Sequence, residues 1–235
     1  NRSSKDLTAL QAENLKSILS GMPNVKALKG PRAHGQEPQI RGIEGSKLLF
    51  LIDGTRQNFQ NTHNSGLSFD PTLLKQVQVV KGPISSLYGS GAIGGVIILE
   101  TKDPSDYLMG KSWALELSSS YFSANQQFSE NLVGAVDTNF IQAMISVGHK
   151  KSDNLEQGNG NKLDYSDFED QNILLKVTNK SKTHKVKVSY EKLDSEAKEP
   201  SNTDQSVTNL NPLVDNDTER ETLSFRYHLK HGKKL

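Results

Sequence analysis

The sequence predicts two architectures in series: a small α+β domain over residues 1–108, then long antiparallel strands over residues 109–235. Two observations carry this division. Up to about Asp103-Pro104, short apolar runs are separated by glycine, proline and polar turns. Beyond it, apolar residues recur at every second position, the period of a strand with two unlike faces.

Taken in order, Asp6 can cap a helix running to Leu19, with Leu7, Leu10, Leu15 and Ile18 on one face. Gly21 and Pro23 end it. Short apolar strands follow at residues 25–28, 48–52, 77–80 and 96–99. Asp70-Pro71 opens a helical turn. In the second half, Trp113, Leu115, Leu117 and Tyr121 share one strand face. Ile141, Ala143, Ile145 and Val147 share another, as do Ile173, Leu175 and Val177. Val186, Val188 and Tyr190 form the next set, and Leu223, Phe225, Tyr227 and Leu229 the last. With the weaker run at residues 132–136, this makes roughly six strands of about ten residues, the length a tilted barrel strand requires. Their connections alternate: short at 137–139 and 179–183, long and polar at 153–170 and 194–218.

Composition narrows the classes. The net charge of +1 gives no footprint for nucleic acid. With no cysteine, the chain has neither disulfides nor thiolate metal sites. The mean hydropathy of −0.60 and the brevity of the aliphatic runs exclude membrane-spanning helices. They leave a transmembrane barrel open, because only alternate residues of its strands face lipid. Period two by itself fits a soluble β-sandwich as well. No leader peptide is visible at Asn1, so the chain reads as a mature or truncated product.

Residues 76–100 carry the most specific signal. They read as an apolar strand, a Gly82-Pro83 turn, a Tyr88-Gly-Ser-Gly91 loop and a second apolar strand. Gly89-Ser-Gly-Ala-Ile-Gly94 matches a dinucleotide fingerprint, but that site needs a helix after the glycines, whose N-terminus holds the phosphates. Here the glycines run into Val96-Ile-Ile-Leu99, a strand sequence, so they read as a close-packed loop between strands.

Together with Gln39-Ile-Arg-Gly-Ile-Glu44 and Leu49-Phe-Leu-Ile-Asp-Gly-Thr-Arg56, that segment resembles the plug domain of TonB-dependent outer-membrane receptors. The resemblance implies an α+β plug over residues 1–108, followed by the first roughly six strands of a transmembrane β-barrel of about 22 strands. So few strands cannot close in lipid, so the chain is expected to be a fragment. A TonB-contacting segment is then expected upstream of Asn1. The implied location is the outer membrane of a Gram-negative bacterium. The implied partners are the TonB complex of the inner membrane, outer-membrane lipid and an imported nutrient. The implied protein is a receptor and not an enzyme.

Within that family the haem and haemoglobin receptors are most similar. The supporting residues are Ile52-Asp-Gly-Thr-Arg-Gln57, His63, Asp70-Pro71, Glu199-Pro200 and Asn211-Pro-Leu-Val-Asp215. The resemblance implies haem as transported ligand, with His63 at the plug apex as one axial ligand and a second histidine beyond Leu235 as the other. His34, in a Gly/Pro-bounded loop, is a secondary haem candidate. His149, His184, His228 and His231 fall at strand ends or turns and read as structural.

Family plug arginines pair with barrel carboxylates. Arg41 matches that role, while Lys81 stands where arginine is usual and keeps the charge without the planar fork. Glu116 and Glu191 are the expected partners within this chain. No Gly-x-Ser-x-Gly elbow and no helical histidine pair points to hydrolysis or zinc. Two rivals stay open: a receptor of the same build for a ferric siderophore or cobalamin, and a non-transporting β-rich binding protein. The last would bury the apolar strand faces in a soluble core.

Overall fold

The computed structural model describes residues 1–28, 30, 32–57, 69–181 and 183–230. The first domain begins with β1 (Arg2–Ser3), α1 (Ser4–Ala9) and α2 (Leu15–Leu19). The single helix expected here is thus two. Ser3 caps the first, with Asp6 completing its capping box, and Asn14 and Ser17 do the same for the second. Gln11, at φ +46°, breaks the run between them and leaves Leu10 exposed.

Then follow β2 (Val25–Leu28), β3 (Glu37–Ile40), β4 (Ile43–Glu44), β5 (Leu48–Ile52) and β6 (Thr55–Gln57). After a 3-10 turn at Pro71–Leu73, capped by Asp70, come β7 (Leu74–Lys81), α3 (Ser85–Tyr88), β8 (Gly95–Thr101) and α4 (Pro104–Leu108). One sheet has the order β1-β7-β8-β5-β6, with only the β5–β8 pair parallel, and β2, β3 and β4 form a second. Leu7, Ile18, Leu19, Ile40, Val77, Ile97 and Leu99 form the core between them. Each such side chain contributes about 1.5–3 kcal/mol by leaving water.

The glycines of the fingerprint-like loop lead into β8 with no helix after them. At Gly95, φ is +152° and a Cβ would lie 2.5 Å from the Val80 carbonyl oxygen. A bare Cα is needed there for strand packing.

The second region is an antiparallel meander: β9 (Trp113–Phe122), β10 (Gln127–Asp137), β11 (Ile141–Ser152), β12 (Phe168–Asn179), β13 (His184–Pro200) and β14 (Leu213–Leu229). Its register aligns the apolar residues into rows across the sheet. Trp113, Val136, Ala143, Val177, Val188 and Phe225 form one continuous row. Leu115, Gly134, Ile145, Leu175, Tyr190 and Leu223 form the next. The large members of these rows face away from the plug: Trp113 is 65% exposed, Leu115 67% and Phe225 70%. Soluble monomers rarely expose contiguous apolar patches above roughly a few hundred Å². The outward direction of Trp113, Leu115, Ile145, Leu175, Val188 and Phe225 agrees with a lipid-facing band and disagrees with a sandwich core. No helix among the described residues is long and apolar enough to cross a membrane.

The opposite face receives the plug. Leu73, Tyr107 and Leu108 pack against Val133, Ala135, Met144 and Leu174. β13 and β14 run past the last apolar pair to Pro200 and from Leu213. Residues 195–200 and 213–218 were expected in a loop. Their backbone ladder continues through mostly polar residues without an apolar–polar alternation, so the sequence pattern does not mark it.

Candidate functional site: the plug–barrel interface

Two clusters fasten the plug to the strands, one at each end of the sheet. The first lies at the short-turn end. Asp53, in the β5–β6 turn, adopts φ +48° and accepts from the Thr101 backbone N–H at 3.0 Å. Its carboxylate stands 2.9 Å from Nζ of Lys176, a β12 side chain with no exposure at all. The same ammonium lies 3.6 Å from Asp103 and donates to the Thr101 carbonyl at 3.1 Å. Lys187 of β13 donates to Asp103 at 2.5 Å, and Arg226 of β14 to the Asp53 carbonyl at 2.7 Å. Within the plug, Lys75 pairs with Asp106 at 2.8 Å. Burial opposes ionisation of Asp103, but the Lys187 hydrogen bond and the charges of Lys176, Lys187 and Lys75 outweigh it and hold its pKa below the ordinary value.

The second cluster lies at the long-loop end. Arg32, buried, spreads its guanidinium over three backbone carbonyls: Tyr165 at 2.7 Å, Asp164 at 2.8 Å and Thr203 at 2.6 Å. One plug side chain therefore ties both long loops. The Gly30 N–H donates to Asp204 at 2.6 Å. Nε2 of His34 is 2.8 Å from Ser195 Oγ, whose hydroxyl donates to Asp170. With that hydrogen committed, Nε2 is the donor. Nδ1 stands 3.4 Å from Glu199, so the arrangement suits the doubly protonated ring. Burial opposes that charge, but the hydrogen bond and charge of Glu199, aided by Asp170, raise the His34 pKa above its ordinary value. Beside this cluster a cavity of about 350 Å³ is lined by Glu13, His34, Phe122, Lys150, Phe168 and Asp170, among others.

These placements revise the expected site. His63 lies outside the described residues. His34 is 3% exposed with both ring nitrogens engaged, so in this arrangement it fastens the plug and neither nitrogen is open to an arriving haem iron. Lys81 donates to the Pro23 backbone carbonyl inside the plug and has no carboxylate partner among the described residues. Arg41, at φ +52°, is exposed and has no side-chain partner among the described residues. Glu191 pairs with Arg220 at 2.9 Å, not with a plug cation. Among the described residues, plug Asp53 and Asp103 meet wall lysines at the short-turn end, and plug Arg32 and His34 meet loop carbonyls and Glu199 at the long-loop end. Lys176 was the available signal: an inward charge between apolar neighbours, in mid-strand.

Residues 2–96 match the TonB-dependent Receptor Plug Domain family. The chain is 29% identical over 99% of its length to "Heme/hemopexin utilization protein C" of Haemophilus influenzae, and 28% identical over 95% to a "Hemin receptor" of Yersinia enterocolitica. It spans 31% and 33% of those relatives, about a third of their length. In fold it is similar to the FrpB iron transporter of Neisseria meningitidis, with a TM-score of 0.88 at 21% identity, covering 97% of this chain and 37% of that one. A plug seated on outward-apolar antiparallel strands, with that family match, defines the class: the chain belongs to the TonB-dependent receptors. The Haemophilus influenzae and Yersinia enterocolitica relatives resemble it over nearly its whole length.

Proposed function

We propose that the receptor carrying this chain imports haem across the outer membrane of a Gram-negative bacterium for iron acquisition. Haem, free or delivered by haemoglobin, is the transported ligand and not a catalytic cofactor. Outer loops and the plug apex capture it, His63 supplies one axial imidazole, and a histidine of a later outer loop supplies the other. The TonB complex then draws on the plug to open a path. The observation that supports this reading is similarity over nearly the whole chain to relatives named a heme/hemopexin utilization protein and a hemin receptor.

The two clusters suit such a mechanism. A plug held by discrete ion pairs and hydrogen bonds docks firmly, yet can be released stepwise, because each contact is individually worth only a few kcal/mol. Arg32 links plug and loops directly, so force on the plug reaches the capturing surface.

The test is His63→Ala in the full-length receptor. Losing one imidazole should shift the haem Soret band and abolish or slow growth on haem as sole iron source, with the fold intact. A spectrum and growth matching the parent would remove His63 from the site. Growth on a ferric siderophore and not on haem would transfer the receptor to the rival cargo.

A further inference from the structure

The lumen face of the strands carries a run of like charge at the short-turn end. Register sets Lys187 of β13 opposite Arg226 of β14, and Lys185 opposite His228. Lys187 and Arg226 are like charges directly opposite each other on one face of the sheet, which is destabilising, so this pair needs compensation from an acceptor. The plug supplies part of it: Asp103 takes Lys187, and the Asp53 carbonyl takes Arg226. Lys185 and His228, the next pair toward the turn, are exposed and have no side-chain partner among the described residues. All four line a cavity of about 420 Å³, with Asp103 the only carboxylate among the described lining residues and the polar side chains of Gln142 and Asn179 on its wall.

We infer that this ladder is a carboxylate-binding station at the inner mouth of the lumen. Its upper rungs are filled in the resting arrangement by the plug, and its lower pair, Lys185 and His228, is open to a carboxylate arm of the departing cargo. Resting on the haem reading above, the arms are the porphyrin's two propionates. The cavity volume suits an acidic side arm, and the polar wall can hydrogen-bond it. Asp103 shows the chemistry in place: one carboxylate oxygen is already held by an ammonium from this wall at 2.5 Å.

The test uses the full-length receptor on cells, with Lys185→Gln and His228→Gln combined. Both side chains are exposed and hold no part of the plug, so the resting fold is kept. Uptake of haem and of haem dimethyl ester is compared at subsaturating concentration, alongside haem retained on the cell surface. The expected result is a haem uptake rate lowered about two- to fivefold, the range of exposed charge contacts, with surface binding unchanged and ester uptake equal to the parent's. Unchanged haem uptake would overturn the station. So would equal losses for haem and ester, because a structural effect ignores the propionate charge. If the parent itself takes up no haem, the haem reading falls and takes this proposal with it. A parent that imports haem and a variant that matches it would sink the station alone.

Discussion

The two ends of the plug–barrel interface solve the same problem with opposite chemistry. At the short-turn end the plug is acidic and the wall basic: Asp53 and Asp103 meet Lys176 and Lys187. At the long-loop end the plug is basic and its surroundings acidic or carbonyl: Arg32 and His34 meet loop carbonyls, Ser195 and Glu199. The plug is thus polarised along the barrel axis, and its environment is polarised to match. A plug inserted upside down would face like charge at both ends. The ends also differ in kind. Ion pairs at the turn end depend on charge state, and Lys176 has no exposure, so little screening reaches it. Arg32 binds carbonyls, which have no charge to lose, so its hold depends on the shape of the guanidinium fork.

Removing Lys176 should produce the largest effect. Lys176→Met keeps the bulk but leaves Asp53 and Asp103 partly uncompensated at a half-buried site, with Lys187 still on Asp103. Breaking one side of a fully buried pair costs about 3–5 kcal/mol, so a loss at the lower end of that range is expected. Hydrogen exchange at Thr101 and along α4 should accelerate, while amides around Arg32 keep their protection. Uniform acceleration at both ends would erase the distinction between them.

Arg32→Lys should be next. It keeps the charge but cannot span three carbonyls, so about 2–3 kcal/mol is expected to be lost, the scale of hydrogen bonds made by charged groups. Exchange should rise in residues 164–166 and 203–205 and leave the turn end untouched. Full protection in both loops would show that charge, and not the fork, holds them.

The smallest effects come from pH, and they have opposite signs at the two ends. His34 has a raised folded pKa, so its contribution is full below the ordinary histidine value of about 6.5 and fades as pH rises through the folded value. Asp103 has a lowered folded pKa, so its contribution is full above the ordinary carboxyl value of 3.8 and fades as pH falls through the folded value. Exchange at the loop end should therefore increase toward alkaline pH, beyond the intrinsic rate change, and His34→Gln should remove that component. Exchange at the turn end should increase only in acid. The same pH response at both ends would contradict the assignment.

Much of the architecture was legible because it is written in local patterns. Alternation of apolar and polar residues fixes which residues share a strand face, and a one-residue slip would reverse it, so Trp113, Leu115 and Phe225 could be assigned to the apolar face from spacing, while the plug resemblance supplied its outward direction. The glycines at 94–95 could be separated from a nucleotide loop because β8, not a helix, follows them. Local reading failed where the pattern was silent. It missed the helix break at Gln11 and the polar extensions of β13 and β14 beyond their apolar rows.

The sequence by itself determined that a compact α+β plug precedes strands with one apolar face, because hydrophobic period and turn chemistry act over a few residues. Only the tertiary structure decided which charges meet. Asp53 and Lys176, or Arg32 and the Thr203 carbonyl, lie far apart in the chain and become neighbours only when register and plug seating are set. Arg41 and Lys81 carry the right charge in the right motif, yet among the described residues neither meets a wall carboxylate, and Lys81 turns back to the Pro23 carbonyl. Coulomb energy falls with distance and rises with burial, and a sequence states neither until the fold has brought the groups together.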